Sequence, residues 1–217
     1  MNKVSKAVFY ITVLFFFINC SQDKVSLRQG DLLFQASESS RLANAIEGAG
    51  RGYNGYAFSH VGIVNIENGD TTVIEAIPKY GVRIVSLQTF LTQSKKDKNG
   101  KPLVCIGRLL PKYETVIEQS INRAKILVGK AYDSVFLPNN DAYYCSELVY
   151  DCFLDSNQAP IFANYPMSFK DKETNEFYPA WVDFFDRIGM PIPEGTAGTN
   201  PNDMSNSDII KIIYSFF

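Results

Sequence analysis

Residues 57–77 read AFSHVGIVNIENGDTTVIEAI. Two apolar runs, 58–66 and 71–77, flank Asn68-Gly69. Asn-Gly between such runs is the strongest short-range signal for a two-residue hairpin turn, because both positions must tolerate positive φ. Counting outward from that turn, Glu67 faces Asp70 and His60 faces Ile77. Glu75 then becomes a diagonal neighbour of His60 on the same face, about 7–8 Å away at Cα and within side-chain reach. A slip of one residue would send the two to opposite faces. Glu75 is itself unusual, a carboxylate inside the apolar stretch 73–77. An exposed strand face explains it; so does a group that orients His60.

Further strands are expected over 32–34, 82–87 and 103–110. Helical spacing of apolar residues marks 37–48, with Ser39 or Ser40 as cap, and also 115–128 and 145–154. Residues 157–206, rich in Pro, Gly, Asn and aromatics, read as loops around a short helix near 181–188. Strands and helices are grouped rather than alternating, which predicts an α+β fold. The aromatics Phe162, Tyr165, Phe169, Phe177, Tyr178, Trp181, Phe184 and Phe185 suit core packing and, as a second reading, an apolar groove.

Composition narrows the function. Of 217 residues, 46% are apolar and 20% charged, which excludes a disordered or low-complexity chain. Lys plus Arg number 21 against 23 Asp plus Glu, so no basic surplus exists for non-specific nucleic-acid binding. A single His excludes a metal centre built on two or more His ligands. Gly50 to Gly55 spells G-x-G-x-x-G, but it follows a predicted helix and leads into a strand, the reverse of the dinucleotide arrangement. It reads as a loop. Neither a P-loop nor a G-x-S-x-G elbow occurs.

The N-terminus has its own character. Lys3 and Lys6 precede an uncharged apolar run over 7–18, then Asn19-Cys20 and a polar stretch. Twelve residues are too few to span a bilayer, which takes about 20, but suit a signal-peptide core. The pattern resembles a bacterial lipoprotein signal. The expected organisation is a signal peptide over 1–19, a lipid-bearing Cys20 with a short linker to 27, and one domain over 28–217. The expected address is the cell envelope, periplasmic or outer-membrane, held through Cys20.

Cys145 lies in YYCSELVY, residues 143–150. With Asn140 or Asp141 starting the helix, it falls in the first turn. A thiol there feels the positive end of the helix dipole, and a nearby imidazolium adds to the effect. The same N–H groups can receive an oxyanion. The plainer alternative is a buried Cys acting as a small hydrophobe, the role expected of Cys105 and Cys152. Cys145 and Cys152 stand two helical turns apart, about 10.5 Å, too far for a disulfide; a bridge from Cys105 stays open.

In chain order the sequence carries GDLLF at 30–34, SHVGIV at 59–64, VIEA at 73–76, GKAYD at 129–133 and YYCSELVY at 143–150. Gly198-Thr199-Asn200-Pro201 and Ser205 follow. Over roughly 28–210 this resembles the circularly permuted papain-like cysteine peptidase/amidase family, the YiiX/YebB-type branch of the NlpC superfamily, in which the His strand precedes the Cys helix. The resemblance implies a permuted papain-like fold, an antiparallel sheet or barrel packed on helices with the nucleophile at a helix start. It implies Cys145 as nucleophile, His60 as base and Glu75 as the third polar residue, where papain has Asn. Tyr144, Ser59, Asp31, Tyr132 and Asp133 are expected on the site wall, and each suits a packing or turn role equally. No cofactor, metal or obligate protein partner is implied. The expected activity is amide hydrolysis on a peptide or murein fragment. The alternatives are a lipid-directed thiol acyl hydrolase or acyltransferase, and a silent binding module on the same fold.

Overall fold

The computed structural model describes residues 26–37, 46, 48 and 50–215. The signal segment, Cys20 and most of the helix expected over 37–48 lie outside these residues. Asn68 and Gly69 both take positive φ, 51° and 86°, and make the expected turn. Glu67 stands opposite Asp70 and Ile63 opposite Ile74, the register counted from the sequence.

In chain order the strands are β1 (Leu32–Gln35), β2 (His60–Glu67), β3 (Asp70–Ile77), β4 (Gly81–Ser86), β5 (Val104–Leu109), β6 (Tyr165–Pro166), β7 (Ala197–Gly198) and β8 (Ile210–Ser215). The helices are α1 (Leu87–Thr92), α2 (Ile117–Ile126), α3 (Cys145–Cys152), α4 (Pro179–Ile188) and α5 (Pro201–Ser205). Six strands form one antiparallel sheet in the order β4-β3-β2-β1-β5-β8, while β6 and β7 pair separately. The α+β class holds. The strand expected over 82–87 ends where Ser86 caps α1, its Oγ accepting from Thr89 N at 3.0 Å. The helix expected over 115–128 is tighter at its start, with a 3-10 segment Pro111–Val116 leading into α2. Neither α1 nor β8 was expected from the sequence.

β1 is central and apolar on both faces: Leu32, Leu33 and Phe34 are each fully buried. Leu32 and Phe34 join Ile63 and Ile74 on the face covered by Ile121 of α2 and Leu148 and Val149 of α3. Leu33 packs with Val64, Val73 and Phe90 on the other. Each large apolar side chain so buried contributes about 1.5–3 kcal/mol before entropy is counted. A third cluster, Phe169, Trp181 and Phe185, flanks the sheet. Its rings meet edge to face, Phe169 and Trp181 at 5.2 Å and 85°.

Gly62 of β2 shows why the SHVGIV stretch needs a glycine. A Cβ there would stand 2.5 Å from Val73 Cγ1 and 2.7 Å from Phe90 Cε2. Phe90 in turn stacks on His60, centroids 5.6 Å apart at 29°. Gly62→Ala is expected to destabilise by about 1–3 kcal/mol through overpacking. Urea denaturation reads the loss; an unchanged midpoint would mean that Phe90 moves aside at no cost.

Candidate active site

The helix bearing Cys145 starts at that residue. Tyr144 is its extended N-cap (φ −88°, ψ 169°), and Cys145 is the first helical position. The start expected at Asn140 or Asp141 is corrected. Asn140 Oδ1 accepts from Ala142 N at 3.1 Å, and Asp141, in the left-handed region, pairs with Lys130 at 2.7 Å. Both belong to the turn before the helix. First-turn N–H groups have no intrahelical acceptor and carry the positive end of the dipole, so they point an oxyanion-binding edge beside the thiol. Tyr144 N donates to Glu147 Oε2 at 3.3 Å. Burial pushes the Glu147 carboxyl up to about 8, with Asp133 and Asp151 adding repulsion against the Tyr144 hydrogen bond.

His60 opens β2 opposite Gln35 of β1. Its Nε2 lies 2.7 Å from Glu75 Oε2, so the side chains meet as the hairpin parity required. The Cys145 thiol is the other polar group acting on this ring, and like Glu75 it favours the charged imidazolium. Burial opposes a charge on the imidazole, but Cys145 and Glu75 together outweigh it and raise His60 to about 10. Glu75 is fully buried. Burial pushes its carboxyl up, and the stronger combined pull of His60 and Arg83 holds it below its ordinary range.

Arg83 was missed in the sequence. It stands directly opposite Glu75 in the β3–β4 ladder. Its Nε and Nη2 both donate to Glu75 Oε1, at 2.9 and 2.7 Å. Carrying the pairing across the second turn would have found it. That turn carries Pro78 and Gly81, both ordinary turn residues, but its inner left-handed position is Lys79 at φ 75°, so the loop length and the register beyond it are not announced.

Two cavities meet at Cys145, of about 230 and 560 Å3. Ser59 and Tyr132 line both, as do Phe136 and Trp181. Tyr144 lines the smaller one. Burial, then the proximity of Cys145 and Asp133, keeps the Tyr132 phenol protonated, hence a donor. Asp133 and Asp31 are placed otherwise. Asp133 accepts from Val135, Phe136 and Leu137 N–H groups at 2.8–3.0 Å and folds its own turn. Asp31 forms a two-bond pair with Arg108 at 2.8 and 2.7 Å. It precedes β1 at the end away from Gln35, about 14 Å from it along the strand.

Residues 199–205 clamp the site. Ser146 Oγ donates to Thr199 O at 3.1 Å, and Thr199 N donates to Tyr144 Oη at 3.1 Å. Phe58 N donates to Asn202 Oδ1 at 2.7 Å, and Tyr53 N to Ser205 Oγ at 3.0 Å. One short segment therefore holds both the Cys helix and the approach to the His strand. Cys105, Cys145 and Cys152 are all unpaired, so the bridge left open for Cys105 does not form. Burial pushes Cys105 up to about 11 and Cys152 to about 12, which makes both poor nucleophiles.

The family model for permuted papain-like amidase enzymes of the YaeF/YiiX type, C92 family, matches residues 26–214. The chain belongs to this family. Its members are cysteine peptidase/amidase-like hydrolases, and the α+β architecture agrees with the permuted papain-like fold. Among solved structures the chain is similar to YiiX from Escherichia coli O157:H7, described as a metalloprotein, with a TM-score of 0.65 and 23% identity. The match covers 87% of this chain and 97% of that one. No curated protein matches.

Proposed function

We propose that this C92-family hydrolase cleaves an amide through Cys145, His60 and Glu75. The observation that supports this is one buried imidazole bonded to the Glu75 carboxylate and acted on by the Cys145 thiol, at the point where two cavities meet. His60 takes the thiol proton, leaving thiolate and imidazolium. The thiolate sulfur attacks the carbonyl carbon, and the oxyanion rests on the first-turn N–H groups of α3. The tetrahedral adduct collapses as His60 protonates the departing amine. Water, deprotonated by His60, then attacks the thioester and releases the acid and the thiol.

The substrate we propose is a peptide or murein fragment in the bacterial envelope, to which the N-terminal segment would export the chain and Cys20 would anchor it. The smaller cavity supports a polar group there, since Lys172 and Asp203 line it. The larger one supports a second reading. Among its described lining residues His60 is the one basic or acidic side chain, and Ile77, Pro78, Phe136, Trp181 and Phe184 form apolar wall. Such a wall suits an N-acyl or acyl-ester substrate.

YiiX is described as a metalloprotein. The residues of this chain do not fit that role. Among the described residues no group of three or more His, Cys, Asp or Glu is placed to hold a metal ion. Glu75 also spends both oxygens on His60 and Arg83, and the guanidinium would repel a cation.

The test is a panel of peptide amides, murein fragments, N-acyl amines and acyl esters, with the acyl-enzyme trapped and located by peptide mass spectrometry. Amide turnover with the acyl group on Cys145, lost in Cys145→Ala, is expected. Turnover of the acyl compounds alone selects the second reading. Activity that survives Cys145→Ala sinks both.

A further inference from the structure

Glu75 raises a problem that His60 alone cannot solve. The carboxylate is fully buried in β3, between apolar neighbours. A buried carboxylate must be paired to stay charged. His60 is a poor permanent partner, because the proposed reaction takes its proton away once per cycle. At that moment Glu75 would keep the Nε2–H bond but lose the positive charge that opposes its own, and the imidazolium would resist giving up its proton to avoid it.

Arg83 has the geometry that removes this difficulty. Its two N–H groups take Glu75 Oε1, the oxygen that His60 leaves free. Arginine stays charged at every pH a protein survives, and here its two donors converge on that one oxygen. The guanidinium is itself held: it lies over the Tyr80 ring, with Cζ 4.8 Å from the centroid, and Nη2 stands 3.4 Å from Gln93 Oε1. At 21% exposure it reaches water on its outer side, so its own charge is not stranded. The titratable and charged groups acting on His60 are Cys145 and Glu75; those acting on Glu75 are His60 and Arg83.

Resting on the function proposed above, we infer that Arg83 is a positioning residue of this relay, whose permanent charge holds Glu75 ionised while His60 passes between imidazolium and imidazole. The arrangement runs from β4 to α3 as Arg83, Glu75, His60, Cys145. Removing a nearby cation raises the proton affinity of both groups behind it. Without Arg83, His60 holds its proton more tightly and Glu75 is protonated more easily.

His60 is the only histidine in the chain, so its imidazole NMR signals report its titration without assignment. In Arg83→Met the His60 midpoint is expected to rise by about one pH unit, a tenfold gain in proton affinity. Arg83→Lys keeps the charge and should hold the midpoint near that of the native protein. On a Glu75→Gln background, Arg83→Met should shift nothing further, because the group it serves is gone. If Arg83→Met does not fold, Arg83→Gln makes the same comparison with the polar contacts kept.

A His60 midpoint left in place, with only yield or stability lowered, would show that Arg83 merely packs the strand pair. The two proposals fail separately. If Cys145 is alkylated no faster than Cys105 and Cys152, with or without His60, the hydrolase reading fails. If Cys145 reacts in a His60-dependent way but the Arg83 variants do not shift His60, only the relay fails.

Discussion

His60→Ala is expected to cut amide turnover about 10,000-fold, the upper end for loss of a positioned general acid–base group. That corresponds to about 5.4 kcal/mol of transition-state stabilisation. No other imidazole exists in the chain to replace it. The same substitution should abolish a selectivity that needs no substrate to measure. At pH 6 iodoacetamide should label Cys145 well ahead of Cys105 and Cys152, which burial holds protonated. In His60→Ala Cys145 should slow to the rate of an unassisted thiol with the same access. Equal Cys145 rates in both proteins would show that the imidazole does not assist the thiol.

Glu75→Gln should be the next most damaging change, and its signature is a slope. In the native protein His60 is raised from 6.5 to about 10. A group whose folded value is raised stabilises the fold fully below its unfolded value and loses that contribution as pH climbs through the folded one. Native stability should therefore fall between about pH 6.5 and pH 10 on account of His60. Glu75 runs the other way: its folded value is lowered, so its contribution is present above the unfolded value and disappears as acid protonates it in the fold. The pair is strongest between the two unfolded values, about pH 4.5–6.5. Glu75→Gln should flatten the alkaline slope and cost about 2 kcal/mol at pH 6. Breaking a buried ion pair typically costs about 3–5 kcal/mol. The loss here is smaller because His60 can shed its proton and Arg83 can turn outward. Urea denaturation at a series of pH values measures both effects. A slope that persists in Glu75→Gln would mean that His60 draws its charge stabilisation from the thiol alone.

How much of this was written in the sequence depended on how local the signal was. Asn68-Gly69 set the hairpin register, and the register brought His60 to Glu75. The apolar spacing after Cys145 gave the end of α3 to within two residues, while its start was expected four or five residues too early. Signals failed where the cause was distant. β8 pairs with β5 across about a hundred residues, with no turn between them to announce it. Tyr144 caps α3 although tyrosine is not a capping residue by preference, because Thr199 and Glu147 hold it there. Arg83 sits between apolar residues, and only the β3–β4 register reveals its partner. GDLLF resembles part of a site, yet Asp31 serves Arg108 at the far end of β1.

The clamp formed by residues 199–205 also sets a timetable for synthesis. A ribosome has made His60, Glu75, Arg83 and Cys145 when two-thirds of the chain exists. The contacts that seat the Cys helix and the segment before the His strand come from Thr199, Asn202 and Ser205. The strand that completes the sheet, β8, comes later still. A nascent chain thus carries His60, Glu75 and Cys145 well before the contacts that line them up, and on the proposed mechanism the site assembles only once residues 199–215 have been made.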